Sequence, residues 1–120
     1  MPARIVIVHD DPEFVESTVA ALLADGHELK AFPSTMAAIN ALEAAARRIE
    51  LLITGVQFPP GQPNGVALAR MTRVKRPGVR VLFVARPEYG EHTEGLGELL
   101  PEPAPSAAIV QAVNRLLPAG

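Results

Sequence analysis

Five short apolar runs, each followed by a stretch with helical spacing, restrict what this 120-residue chain can fold into. Arg4 to Val8 is β-branched and bounded by polar residues, the pattern of a strand buried on both faces. Asp11-Pro12-Glu13 opens a helix, with Asp11 as N-cap and Pro12 at the first helical position. Phe14, Val15, Thr18, Val19, Leu22 and Leu23 recur at spacings of three and four, so the helix is expected to turn them inward. Asp25-Gly26 ends it, and Glu28 to Phe32 is a second strand. Pro33-Ser34 starts a helix through Ala46, with Ala38, Leu42, Ala45 and Ile49 inward. Leu51 to Thr54 is the third strand, followed by a Pro- and Gly-rich loop from Phe58 to Gly65. Asn64 caps a helix from Val66 to Lys75, which Arg76-Pro77-Gly78 stops, and Val79 to Ala85 is the fourth strand.

The pattern then weakens. Arg86 to Gly97 holds three glycines and a proline with little helical periodicity, so a fourth helix is expected to be short or irregular. Leu99-Leu100 is a minimal fifth strand, and Pro105-Ser106 leads a helix with Ile109, Val110, Val113, Leu116 and Leu117 on one face. Five β-then-α units imply an α/β fold: a flavodoxin-like, doubly wound, five-stranded parallel sheet, expected to form a single domain over residues 1–120. Ligands of such sheets bind at the carboxyl ends of the strands. The candidate site residues are therefore those after each run: His9, Asp10 and Asp11, then Gly55, Ala85 and Glu102.

Composition narrows the chemistry. The chain lacks cysteine, which excludes disulfides, thiol catalysis and thiolate metal sites and suits a reducing cytoplasm. A net charge of -2 gives no global pull toward nucleic acid or an anionic membrane. The basic cluster Arg70, Arg73, Lys75 and Arg76 falls at a helix C-terminus, where it complements the dipole. No phosphate-cradling glycine loop or nucleophile–base pair points to an enzyme.

Two segments carry a family resemblance. Leu51-Leu52-Ile53-Thr54-Gly55-Val56-Gln57-Phe58-Pro59 resembles the third strand of response-regulator receiver domains, and Val6-Ile7-Val8-His9-Asp10-Asp11-Pro12 resembles their first. Leu99-Leu100-Pro101-Glu102-Pro103 resembles the family's L-P-K-P, and the likeness spans residues 3 to 117. It implies a site in which acidic residues after strand one and an acceptor aspartate after strand three hold Mg2+. A Ser or Thr after strand four and a Lys after strand five then stabilise the phosphoryl group. Most of that set is replaced. His9 stands at the first acidic position and Asp10 keeps the second; Gly55 replaces the acceptor, Ala85 the hydroxyl and Glu102 the lysine.

The resemblance so altered implies a degenerate receiver domain of a two-component phosphorelay, without catalytic residues and without Mg2+. Asp11 is better explained as a helix cap, which leaves Asp10 as a poor single ligand. Its partner is expected to be a protein: a histidine kinase, another regulator or itself, as in a homodimer, with no direct nucleic acid or membrane contact. The contact face expected is Tyr89, Leu96, Leu99, Ile109 and Val113. Two other readings stay open: a phospho-accepting receiver with Asp10 or Asp11 as displaced acceptor, and a small-ligand module using space opened by Gly55 and Ala85. Asp10 and Glu102 on one rim either point apart into water or hold a cation between them. His9 is either a solvent-facing imidazole or a protonated partner of Asp10, Asp11 or Glu102.

Overall fold

Strand residues that are apolar at every position need cover on both faces, and this requirement organises the whole molecule. The computed structural model describes residues 5–44 and 49–117. The strands are β1 (Ile5–Val8), β2 (Leu29–Phe32), β3 (Leu51–Thr54), β4 (Arg80–Ala85) and β5 (Glu98–Pro101). The helices are α1 (Pro12–Ala24), α2 (Thr35–Ala44), α3 (Gly65–Lys75), α4 (Gly90–Thr93) and α5 (Ser106–Leu116), with a 3-10 turn at Pro87–Tyr89. All strand pairs are parallel, in the order β2-β1-β3-β4-β5. This is the flavodoxin-like doubly wound sheet expected from the alternation, with a fourth helix of a single turn.

The two-residue period of the strands divides the core. Val6, Val8, Leu52, Val81, Phe83 and Ala85 face one side and pack with Ala38, Leu42, Val66 and Leu68 from α2 and α3. Ile5, Ile7, Leu51, Ile53, Leu82 and Val84 face the other side and pack with Leu22, Ile109, Ala112 and Val113 from α1 and α5. Ile109 and Val113 are wholly buried there, so they are core residues and not part of a contact face. The apolar stripe of α5 is the one that seats it on the sheet; its outer side carries Gln111, Asn114 and Arg115. Tyr89, Leu96 and Leu99 are half-buried against the opposite core.

Leu23 also departs from expectation: it is 57% exposed, while Leu22 beside it is buried. The inward positions Ala38, Leu42 and Ile49 are buried as expected. Arg4, Ala45 and Ala46 lie outside the described residues. The helix starts follow the capping chemistry. Asp11 Oδ1 accepts from the amides of Glu13 and Phe14, and Asn64 Oδ1 accepts from that of Ala67.

Candidate functional site

From β1 the chain first moves outward to β2 and then returns past β1 to β3, so the sheet's switch in strand order lies between β1 and β3. Side chains at the carboxyl ends of these two strands face a crevice that no crossover covers. His9 leaves β1 and Gly55 leaves β3 there, joined by the Gly55 amide donating to the Val8 carbonyl at 3.0 Å. An open cavity of about 230 Å3 lies above them, lined by His9, Asp10, Asp11, Gly55, Ala85 and Glu102 together with Val56, Gln57, Arg86 and Tyr89. All six strand-end residues named from the sequence therefore meet in one place.

His9 is not a solvent-facing imidazole. Its side chain is 9% exposed, its ring lies 4.5 Å from that of Phe14, and its Nδ1 accepts from the Asp11 amide at 3.2 Å. A nitrogen that accepts from a backbone N–H carries no proton, so the neutral ring holds its proton on Nε2. Nε2 faces Glu102 Oε1 at 3.5 Å, while Asp10 Oδ1 lies 3.7 Å from Nδ1. The imidazole thus stands between two carboxylates that are themselves 46% and 41% exposed to water. Asp11 meets the ring through its amide, because its carboxylate is occupied in capping α1.

Gly55 has an ordinary backbone; the positive-φ glycines are Gly26, Gly61 and Gly95. A tight turn therefore does not explain the glycine. A Cβ placed on it would lie 3.1 Å from His9 Cδ2 and 3.3 Å from His9 Nε2. The space in which a side chain at this position would start is bordered closely by the imidazole. Gly55 is pinned from the other side too: a Cβ on Gly65, the first residue of α3, would come within 1.7 Å of its carbonyl oxygen.

On the β5 side, the Glu102 amide donates to the Ala85 carbonyl at 2.9 Å, which sets its carboxylate against His9. The Glu102-Pro103 bond is cis. The outer rim is built by residues that the strand-end rule reached only by their neighbours. The Tyr89 hydroxyl donates to Gln57 Oε1 at 2.5 Å, and Arg86 Nη2 donates to the Tyr89 hydroxyl at 3.0 Å. The Tyr89 hydroxyl first, and the Glu88 carboxylate second, hold the Arg86 guanidinium above its usual pKa. Gln57 and Arg86 each follow a named position within two residues, so reading two residues further along each strand end would have found them. Tyr89 belongs to this rim as well as to the half-buried surface proposed for contact.

No protein-family model matches the chain, and no curated protein matches it. Solved structures do. A response regulator receiver protein from Sinorhizobium medicae WSM419 superposes with a TM-score of 0.85 at 24% identity, over 98% of this chain and 96% of its own. The response regulator protein TrrA from Thermotoga maritima, solved in complex with Mg2+ and BeF, gives 0.82 at 19% identity over 96% and 99%. A receiver domain protein from Clostridium thermocellum gives 0.81 at 19% identity over 95% and 93%. With five parallel strands in the order described and this superposition over almost its full length, the chain has the fold of the response-regulator receiver domains.

Proposed function

We propose that the chain is a degenerate receiver domain of a two-component system, working through protein–protein contact without accepting phosphate. The carrying observation is the His9 ring beside Gly55: no carboxylate stands at this strand end, and a side chain there would press on the imidazole. Glu102 supports the same reading, since it sets a carboxylate where a transferring phosphoryl group would need positive charge. The other acids are poor substitutes. The Asp11 oxygen is engaged by two helix amides, and Asp10 is half in water beside His9. The donor set does not fit Mg2+, which wants several hard oxygens in octahedral array and here would meet an imidazole and a carboxylate engaged in capping. On this reading the domain is not an enzyme, and its partner is a histidine kinase, another regulator or a further copy.

Intact mass after incubation with Mg2+ and acetyl phosphate tests this reading. The expected result is an unchanged mass. A stoichiometric, hydroxylamine-labile adduct would instead place the acceptor on another carboxylate, with Asp10 and Asp11 the first to substitute. The cavity itself favours one second reading, a module for a small polar ligand, because carboxylates and the Arg86 guanidinium both line it. Small-molecule screening by amide chemical shifts distinguishes the two: shifts confined to Gly55, Gln57 and Tyr89 would support the ligand reading.

A further inference from the structure

The large hydrophobic side chains left exposed among the described residues fall on two surfaces. Leu23 stands on α1; Met36, Met71 and Val74, the last 83% exposed, stand on α2 and α3. Between α2 and α3 runs a shallow apolar groove lined by Ile39, Leu42, Leu68 and Met71, with Lys75 and Arg76 at its edge. Helix α3 has no acidic residue, and Arg70 and Lys75 are exposed on it beside Met71 and Val74. This half is apolar with a basic rim.

Helix α1 has the opposite character. Glu13, Glu16, Ala20 and Leu23 are exposed and follow one another at spacings of three and four, so they form one stripe. No Lys or Arg lies on the helix, and exposed Asp25 follows it. The two surfaces match in both polarity and charge. They cannot meet within one molecule, because α1 packs on one face of the sheet and α2 and α3 on the other.

We propose that the chain self-associates head to tail, with α1 of one copy laid in the α2–α3 groove of the next. Leu23 supplies the apolar anchor, and the acidic residues of α1 meet Lys75 at the edge of the groove. The apolar contact gives the affinity, while the charges set orientation and make it salt-sensitive. Because the two halves lie on opposite faces of the sheet, one partner does not engage both at once, so the contact is heterologous and generates an open chain or a ring in place of a two-fold dimer. A nucleic acid fits the groove less well, since no aromatic side chain lines it for base stacking. The proposal is independent of whether the strand-end site accepts phosphate, so its failure leaves that reading intact.

Sedimentation velocity of the whole chain at low salt, from micromolar to millimolar loading, tests it. The sedimentation coefficient is expected to rise with concentration. Leu23→Lys and Met71→Glu, both at solvent-exposed positions and the second lining the groove, are each expected to weaken association about tenfold or more. An equimolar mixture of the two variants is expected to associate again but to stop at one-to-one pairs, since each keeps only one intact half. A chain monomeric at every concentration overturns the proposal. So does association indifferent to both substitutions, or a pair of folded variants that stay apart when mixed.

Discussion

A Cβ on Gly55 would sit 3.1 Å from one atom of the His9 ring and 3.3 Å from another, so the ring, held by the Asp11 amide and Phe14, would have to give way by a few tenths of an ångström. Gly55→Ala should therefore destabilise the protein by about 1–3 kcal/mol, the usual cost of overfilling a packed site. The same change made on a His9→Ala background should cost less, because the ring that it strikes has gone. Urea denaturation of the four proteins in this cycle measures the coupling, expected at about 0.5–3 kcal/mol; additive costs would show that His9 and Gly55 do not share space. Gly65 makes a harder version of the argument. Its Cβ would collide with the Gly55 carbonyl at 1.7 Å, and backbone cannot step aside as a side chain can. Gly65→Ala should cost about 4 kcal/mol or more, within the exceptional range for point substitutions. Gly78→Ala, with nothing within 4 Å, serves as the control and should lie within about 0.5 kcal/mol of the parent or slightly above it. Equal midpoints for the two variants would contradict the close approach of α3 to β3.

The same separation of core from surface holds for whole elements. Helix α5 carries the most regular apolar stripe in the sequence, and the family resemblance places two of its residues, Ile109 and Val113, in a contact face. In a doubly wound sheet the stripe is what attaches a helix, and here Ile109, Ala112 and Val113 close the core over Ile5, Ile7 and Leu82. Ile109→Ala should behave as a core lesion, lowering stability by about 2–5 kcal/mol. Gln111→Ala, on the exposed side, should stay within about 0.5 kcal/mol. Thermal or urea unfolding separates these outcomes, and an Ile109→Ala protein of parental stability would return the stripe to the surface. Polar contacts also tie α5 to the end of α1: Asn114 Nδ2 donates to Asp25 Oδ2 at 3.0 Å, and His27 Nε2 lies 3.1 Å from Asn114 Oδ1. Nothing in the linear spacing of residues 25, 27 and 114 announces this cluster. It exists because the sheet brings the loop before β2 beside the last turns of α5.

At the scale of the molecule, the five-stranded parallel sheet, the short fourth helix and the meeting of His9, Asp10, Gly55, Ala85 and Glu102 were legible in the chain. Each follows from where apolar runs stop, and a parallel sheet places all those stops on one edge. The orientation of His9 was not legible, because it depends on a side-chain rotamer set by the Asp11 amide and the Phe14 ring. That rotamer decides what the assembled edge can bind, and ligand linkage makes it visible in global stability. A site that binds Mg2+ only when folded stabilises the chain by about 2.7 kcal/mol once the ion is at a hundred times its dissociation constant. The wild-type chain offers the ion an imidazole, a half-exposed Asp10 and an Asp11 oxygen held by two helix amides. Millimolar Mg2+ should therefore leave the unfolding midpoint where NaCl of equal ionic strength leaves it. Replacing His9 and Gly55 together by Asp removes the competing ring and adds two hard donors on adjacent strands, so the double variant should gain a Mg2+-dependent rise that neither single variant shows. A midpoint in the parent protein that climbs with Mg2+ beyond the NaCl control would mean that the remaining carboxylates already hold the ion, and that the strand-end site has kept more of its chemistry than His9 and Gly55 imply.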